Sequence, residues 1–189
     1  MKLILVVMLL LAGCASQPTL VINGSLQHAS ESSSWQFNGR FGASHADESW
    51  NGGLQWRQQG NDYLIRLSGP LGQGSIQLQG DVHQAQLTLS ETQIYENADA
   101  EELLWQHTGW RIPFAGMRYW LMGMPAPDYP VTELRRDELG RLVSLRQAGW
   151  LIEIRRYVSV QGIELPRKLF LQHARFNVRL VVDQWELSS

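Results

Sequence analysis

A glycine-rich stretch, SGPLGQGS at residues 68–75, is the first place where the sequence offers residues that could do chemistry. Such loops hold phosphates when their backbone N–H groups and the N-terminus of a following helix surround the anion. The spacing here is G-x-x-G-x-G, no Lys-Ser or Lys-Thr pair follows, and the next residues alternate as in a strand. The stretch is therefore predicted to be a turn between two strands rather than a nucleotide site.

Other side chains that catalyse reactions or bind metals are scattered along the chain. The sequence contains no GxSxG motif and no HExxH motif. Carboxylates such as Glu101, Glu102, Asp137 and Glu138 fall at helix starts and turns, where capping explains them. The histidines have no paired spacing, and they stand at positions 28, 45, 83, 107 and 173. We predict no catalytic residue, no metal site and no cofactor, so the chain is not expected to be an enzyme.

The amino terminus has the features of a bacterial lipoprotein signal. Lys2 is followed by an apolar run over residues 3–11, too short to span a bilayer stably, and then by LAGC at residues 11–14. In such a signal, residues 1–13 are removed and the cysteine is lipidated. Cys14 is the only cysteine of the chain, so we predict that it carries the acyl chains. The alternatives are a plain signal peptide with a chance cysteine and a short membrane anchor.

Residues 14–34 are predicted to form the lipidated cysteine and a polar tether, which leaves residues 35–189 as one domain. Without residues 1–13 the chain keeps 15 of its 16 basic side chains and all 18 acidic ones. This mildly acidic balance argues against nucleic acid as a partner. It also predicts no basic patch for anionic lipid, so membrane attachment is expected from the acyl chains alone.

From Trp35 onward, apolar and polar residues mostly alternate, as in WQFNGRFG, DYLIRLSG, SIQLQG and WLIEIRRY. Alternation predicts strands with one apolar face, and short turns between them predict an antiparallel meander. Two segments have helical spacing instead: DAEELLWQHTG, with Asp99 and Glu102 in capping-box spacing and Gly109 as its end, and PFAGMRYWLMGMP, which begins at Pro113. We expect roughly ten or eleven strands and two or three short helices, with the sheet curled and the helices over its concave side.

Tryptophan is unusually frequent, with eight residues in the chain. Trp56, Trp120, Trp150 and Trp185 each fall on the apolar face of a predicted element. One interpretation is an ordinary aromatic core. The other is the wall of a pocket for an apolar ligand, since such pockets are lined by aliphatic and aromatic side chains.

Several of these stretches, in this order, resemble the LolB family of outer-membrane lipoprotein receptors. They are the LAGC signal, NGRFG, RLSGPLGQGSIQLQG, MRYWLMGMP, GWLIEIRRY and LPRKLFL. The resemblance implies a mainly β, α+β fold: an open antiparallel half-barrel with a helical lid over a hydrophobic cavity. It also implies a receptor, lipid-anchored in the outer membrane and facing the periplasm, that accepts acylated lipoproteins from the carrier LolA and inserts them into that membrane. Ala15, in place of an aspartate after the cysteine, implies the same location.

The resemblance assigns roles to individual residues as well. Leu71, with Pro70 and Gly72, matches a protruding loop whose leucine acts in lipoprotein insertion, and we expect it to touch outer-membrane phospholipid. The expected cavity residues are the four tryptophans at family aromatic positions and three residues chosen from strand faces: Trp56, Trp120, Trp150, Trp185, Ile65, Ile76 and Leu78. A structural or assembly lipoprotein that binds protein partners remains an alternative. A lipoprotein hydrolase is a further one, for which the sequence offers no nucleophile–base motif.

Overall fold

In a computed structural model the chain forms one eleven-stranded antiparallel sheet and two short helices. The structure describes residues 34–46, 48–70, 74–174 and 176–188. The predicted signal peptide, Cys14, nearly all of the tether, Leu71 and Gly72 lie outside the described residues. Within them, neither helix has the length and apolarity needed to cross a membrane.

The strands pair in the order β6-β5-β4-β3-β2-β1-β11-β10-β9-β8-β7, so the sheet is open, with β6 and β7 at its two edges. The predicted open antiparallel sheet with short helices is therefore confirmed. The strands are β1 (Ser34–His45), β2 (Glu48–Gln59), β3 (Asp62–Ser68), β4 (Ser75–Gly80), β5 (Ala85–Ser90), β6 (Gln93–Asn97), β7 (Val131–Arg136), β8 (Leu142–Gln147), β9 (Trp150–Val160), β10 (Ile163–His173) and β11 (Phe176–Ser188).

One face of the sheet is apolar because inward and outward side chains alternate along each strand. In β2, Leu54 and Trp56 are buried, whereas Gln55 between them and Arg57 after them are exposed. The alternation is interrupted in β11, where Asn38 pairs with Gln184 but Gly39 pairs with Val182. The extra residue is a bulge, and it returns Trp185 to the buried face after Val182.

The helices, α1 (Ala100–Thr108) and α2 (Phe114–Leu121), lie where the helical spacing predicted them. Asp99 caps α1, its Oδ1 accepting hydrogen bonds from the N–H groups of Glu101 at 2.8 Å and Glu102 at 3.2 Å. The reciprocal bond of a capping box is replaced by Asn97, whose Oδ1 accepts the Asp99 N–H at 3.1 Å. Gly109 ends α1 with a φ of 73°, a left-handed conformation that glycine adopts without strain.

Both helices pack onto the apolar face of the sheet through leucines and aromatic residues. Leu103 and Leu104 of α1 and Trp120 and Leu121 of α2 are buried in one core with the strands. We call α1, α2 and the connector between them, residues 109–113, the lid. Because it covers the inner face, the space between lid and sheet is the natural place to look for a site.

Candidate functional site

An apolar cavity lies between the sheet and the lid. Its walls come from the inner faces of β1–β4 and β11, and its roof from α1, α2 and the connector. The volume is about 50 Å³, and every lining side chain is apolar. The lining residues are Phe41, Ala43, Leu54, Trp56, Ile65, Leu67, Ile76, Leu78, Leu104, Trp110, Ile112, Phe114, Met117, Val178 and Leu180.

At one end, the cavity is closed by aromatic contacts beneath the turn that contains Pro70. The ring of Trp110, in the connector, lies 5.1 Å from that of Trp50 and 6.1 Å from that of Phe41, edge to face in both cases. A depression of about 530 Å³ outside these rings is bordered by Pro70 and Gly74. The Gly69 N–H donates to the Gly74 carbonyl at 3.1 Å, which closes the base of the turn. We call this end the loop mouth.

At the opposite end, Trp56 and Phe114, whose ring centroids are 6.2 Å apart, separate the cavity from a polar depression of about 450 Å³. Its wall includes Asp81, Asp99 and Arg118. The Arg118 guanidinium is held by Asn61 Oδ1 at 3.3 Å and by the hydroxyl oxygen of Tyr119 at 3.0 Å. The two closed ends of the cavity therefore differ: one lies beside the Pro70 turn, and the other lies beside charged side chains.

The polar end contains Tyr63, whose hydroxyl is buried without a hydrogen-bond partner among the described residues. Burial, and then the negative charges of Asp81 and Asp99, raise the pKa of Tyr63 to about 12. Burial also raises the pKa of Glu101 above its usual range, and Asp99 adds to this effect. Neither group lies within a set of side chains that could act with it as a nucleophile or base.

The raised pKa of Tyr63 predicts a loss of stability at alkaline pH. Because the folded-state pKa of about 12 exceeds the ordinary value near 10, the contribution of Tyr63 to the free energy of unfolding is complete below pH ~10. It is lost as the pH rises toward ~12. In Tyr63→Phe this loss should be smaller, as measured by urea unfolding midpoints across that range. Tyr95→Phe, which keeps Tyr63, should lose stability as the unmodified chain does, and an unchanged loss in Tyr63→Phe would contradict the assignment.

Four of the seven residues predicted for the cavity lie in its wall: Trp56, Ile65, Ile76 and Leu78. They belong to three adjacent strands, β2, β3 and β4, and their registers place Trp56 opposite Ile65 and Ile65 opposite Leu78. The sequence-based choice of strand faces is thus correct at these positions. Whether they contact a ligand remains a prediction.

The other three predicted cavity residues do not line the cavity. Trp120 is fully buried, and its indole N–H donates to Gln147 Oε1 at 3.0 Å. Trp185 packs against Phe37 with centroids 5.0 Å apart, and its indole N–H donates to the Pro166 carbonyl at 2.9 Å. Both are therefore structural residues of the core, outside the proposed site.

Trp150, the third, lies near the turn between β8 and β9. It stacks on His173 with ring centroids 5.2 Å apart and meets Phe176 edge to face at 6.1 Å. Each tryptophan is on an apolar face, as predicted, but β8–β10 extend beyond the part of the sheet that borders the cavity. In this structure the three tryptophans therefore lie outside the cavity wall, and whether they contact a ligand remains a prediction.

Sequence reasoning missed the residues that form the roof and the two ends of the cavity. Trp110 and Ile112 lie in a connector with no periodic pattern, so no face could be assigned to them. Leu104, Phe114 and Met117 belong to recognised helices, but the sequence does not say which strands a helix covers. Among the described residues, no group of three His, Cys, Asp or Glu side chains could hold a metal ion.

Comparisons with known proteins identify the family. The model of the family described as outer membrane lipoprotein LolB matches residues 33–185. The chain belongs to the LolB family. It is 36% identical to the outer-membrane lipoprotein LolB of Nitrosococcus oceani, over 99% of this chain and 97% of that protein. It is 38% identical to the protein of the same name from Pseudomonas fluorescens, over 80% of this chain and 73% of that one.

Solved structures support the fold. A LolA superfamily protein from Nitrosomonas europaea superposes with a TM-score of 0.58 at 11% identity, covering 88% of this chain and 93% of that one. LolB-family proteins are outer-membrane lipoprotein receptors rather than enzymes. The predictions of a non-enzymatic receptor and of an outer-membrane location are therefore confirmed through the family. Membership also implies, in general terms, interaction with lipoproteins and with the LolA carrier.

Proposed function

We propose that the cavity receives the acyl chains of lipoproteins delivered by the LolA carrier and releases them at the loop mouth into the phospholipid of the outer membrane. The observation that carries the proposal is the wholly apolar lining of a space enclosed by sheet and lid. Apolar walls bind alkyl chains through the hydrophobic effect and offer no specific contact to a polar ligand.

The present volume requires that the lid moves. A cavity of about 50 Å³ has room for only a few water-sized groups, since one water needs about 10–15 Å³ on this scale. A palmitoyl chain of sixteen carbons does not fit into that space. The structure is therefore the closed form of the site, and the cargo must displace side chains that now fill it.

The contacts of the two helices favour a movement of α1 and the connector over one of α2. Helix α2 is tied to β8 through Gln147, which accepts from Trp120 and donates to the carbonyls of Ala126 and Tyr129 just after α2. Among the described residues, α1 makes no side-chain hydrogen bond to the sheet and is held by apolar contacts and by the stacking of His107 on Tyr95 of β6, with ring centroids 3.6 Å apart. Swinging α1 away would also separate Trp110 from Trp50 and open the loop mouth.

Transfer by direct contact of two apolar cavities needs no nucleotide. Each methylene that leaves an apolar environment for water costs about 0.8 kcal/mol, so the transfer of a sixteen-carbon chain into water would cost roughly 12 kcal/mol. A carrier cavity placed against this one avoids that cost. The direction of transfer then depends only on which cavity holds the chains more tightly.

The proposal is tested by mixing LolA loaded with a fluorescent acylated lipoprotein with the lipidated chain anchored in phospholipid vesicles. We expect the fluorescent lipoprotein to leave the carrier and become incorporated in the vesicles, and vesicles without the chain to gain almost none. No transfer, together with binding of the carrier alone, would favour the structural or assembly function instead.

The cavity assignment makes a sharper prediction for Ile76. Ile76→Asn places an amide against the acyl chain, and leaving it without partners costs about 1–3 kcal/mol. Affinity for an acylated peptide should fall by about tenfold or more. Displacement of a fluorescent apolar probe gives the affinity.

A matched control is Ile163→Asn in β10, because Ile163 is also half-buried but lies outside the cavity. It should lose comparable stability in urea and retain the affinity of the unmodified chain. Equal losses of affinity in both variants would show that Ile76 acts only through the stability of the fold.

A further inference from the structure

Charge is segregated along this chain. Residues 67–110, which include β4–β6 and α1, contain six acidic side chains and no lysine or arginine. Residues 150–182, which include β9 and β10 and the first half of β11, contain six basic and two acidic side chains. The chain as a whole has a net charge of −2. The net charge of the whole chain therefore does not reveal this basic region. The prediction that no basic patch exists is wrong.

The basic region has a defined centre on the outer face of the sheet. Phe170 of β10 points outward, since Leu169 and Leu171 on either side of it are buried in the core. Three cations surround its ring: Lys168 Nζ lies 5.3 Å from the centroid, Arg155 Cζ 5.7 Å and Arg179 Cζ 5.9 Å. Each distance is within the range of a cation–π contact.

Few carboxylates neutralise this cluster. Glu153 pairs with Arg155 at 2.9 Å, but Lys168 and Arg179 have no ion pair among the described residues. Two more exposed arginines, Arg156 and Arg167, follow at the bulge between β9 and β10. We call the surface formed by Arg155, Arg156, Arg167, Lys168, Phe170 and Arg179 the basic face.

We propose that the basic face binds the phosphate headgroups of anionic phospholipid and so forms a second, electrostatic contact with the membrane that holds the lipid anchor. Guanidinium and ammonium groups pair with lipid phosphates, and several cations on one surface add their attractions to an anionic leaflet. The contact does not depend on the cavity or on its ligand.

Strand register makes this contact compatible with a loop mouth that faces the membrane. Arg179 pairs with Gly42, which on its other side pairs with Asn51. Two residues further along β2, Gly53 pairs with Ser68, the last residue before the Pro70 turn. Within the basic face, Arg179 and its partner Phe170 therefore lie toward the end of the strands that carries the Pro70 turn, whereas Arg156 and Arg167 lie near the middle of β9 and β10. A tilted domain can bring the basic face and the Pro70 turn to one surface.

Proximity favours a membrane over an acidic protein as the occupant. A lipoprotein of the outer membrane is held beside phospholipid at all times, so the second contact forms at a high effective concentration. Weak single attractions suffice under that condition. A freely diffusing acidic protein would have to bind without this advantage.

The test uses energy transfer from a fluorophore on the lipidated chain to an acceptor lipid in vesicles. Cys14 is the only cysteine and is predicted to be acylated, so Asn177→Cys, exposed beside the basic face, gives a single labelling position. Gln84→Cys, exposed in the turn between β4 and β5 at the opposite end of the strands from the Pro70 turn, gives the reference position. The vesicles contain phosphatidylethanolamine with about one quarter phosphatidylglycerol, or phosphatidylcholine alone.

We expect strong transfer from position 177 and weak transfer from position 84 in the anionic vesicles. Transfer from position 177 should fall toward the level of position 84 in phosphatidylcholine, and also at about 0.5 M salt, where the screening length is only a few ångströms. The combined substitutions Arg155→Gln, Lys168→Gln and Arg179→Gln should produce the same fall in anionic vesicles.

The control is a second triple variant that removes the same charge from exposed strand positions outside the basic face: Arg57→Gln, Arg66→Gln and Arg135→Gln. It should leave energy transfer from position 177 unchanged. Equal loss in both triple variants would overturn the proposal, because net charge alone would then explain it. Unchanged transfer in the basic-face variant would overturn it too. If that variant instead bound the carrier more weakly in detergent micelles, an acidic protein would be the occupant.

Discussion

Replacing Leu71 with glutamate is expected to stop delivery of lipoproteins into the outer membrane while acceptance from the carrier continues. Leu71 stands in the sequence between Pro70 and Gly74, which border the loop mouth, so the turn begins beside the place where we expect acyl chains to leave. Pro70 is exposed, and the hydrogen bond from Gly69 to Gly74 fixes the base of the turn. An apolar residue carried by such a turn can enter a lipid surface.

The expected size of the effect follows from the cost of placing a carboxylate in lipid. At the centre of a bilayer, insertion favours leucine by about 0.5 kcal/mol and disfavours an acidic side chain by about 3 kcal/mol. Even half of that difference, near the membrane surface, corresponds to about tenfold or more. We therefore expect the rate of incorporation into vesicles to fall at least tenfold in Leu71→Glu.

Leu139→Glu provides the matched control. Leu139 is 72% exposed in the turn between β7 and β8, so the same substitution adds the same charge at a different turn. Its rate of incorporation should equal that of the unmodified chain. Capture of lipoprotein from the carrier is measured in parallel without vesicles. Normal incorporation by Leu71→Glu, with normal capture, would eliminate the membrane role of Leu71.

Much of the fold could be predicted from the sequence because its signals are local. Alternation identified the strands, and Asp99 with Gly109 identified α1, since capping depends only on residues within one turn of the helix end. The glycine-rich turn was correctly separated from a phosphate loop for the same reason. The residues after Gly74 alternate, and they form β4.

The extent of the cavity could not be predicted, because it depends on where the lid rests. Trp56 and Trp150 both lie on the apolar face of the same sheet, yet only Trp56 lies under the part of the lid that leaves a space. Periodicity assigns a face and says nothing about position along an eleven-stranded sheet. The bulges in β10 and β11 add further shifts that alternation does not reveal.

The basic face was missed for a different reason. Net charge sums over the whole chain, whereas a membrane contact depends on which charges share a surface. Lys168 and Arg179 are far apart in sequence from Arg155, and cross-strand pairing brings all three around Phe170. A count of charge within separate segments of the chain would have signalled the region.

The largest effect on stability is expected for Gln147→Leu. Gln147, in β8, is 1% exposed and makes four hydrogen bonds with its side chain. Its Oε1 accepts from Trp120 Nε1 at 3.0 Å and from the Ala126 N–H at 2.9 Å. Its Nε2 donates to the carbonyls of Ala126 at 2.9 Å and Tyr129 at 2.8 Å. Leucine has a similar size and removes all four bonds, which leaves the Ala126 carbonyl only a long contact of 3.5 Å from the Tyr129 N–H.

An unpaired buried polar group costs about 1–3 kcal/mol, and partial relaxation of four such groups should still leave a loss of about 4 kcal/mol in the free energy of unfolding. Urea unfolding gives this value from the shift of the midpoint at constant slope. Gln172→Leu, at an exposed position of β10, should change it by less than about 0.5 kcal/mol. A comparably small change in Gln147→Leu would show that Gln147 does not fasten α2 to the sheet.

Gln147→Glu separates the hydrogen bonds from packing. A carboxylate keeps the two acceptor bonds but places a charge against the carbonyls of Ala126 and Tyr129, so burial would raise its pKa in the folded state. The stability of this variant should be highest below the unfolded pKa of about 4.3 and be lost as the pH rises through the folded value. Gln147→Leu has no titrating group and should show no such pH dependence relative to the unmodified chain. If the two variants instead behave alike at every pH, Gln147 contributes through volume alone, and the fixed position of α2 must have another cause.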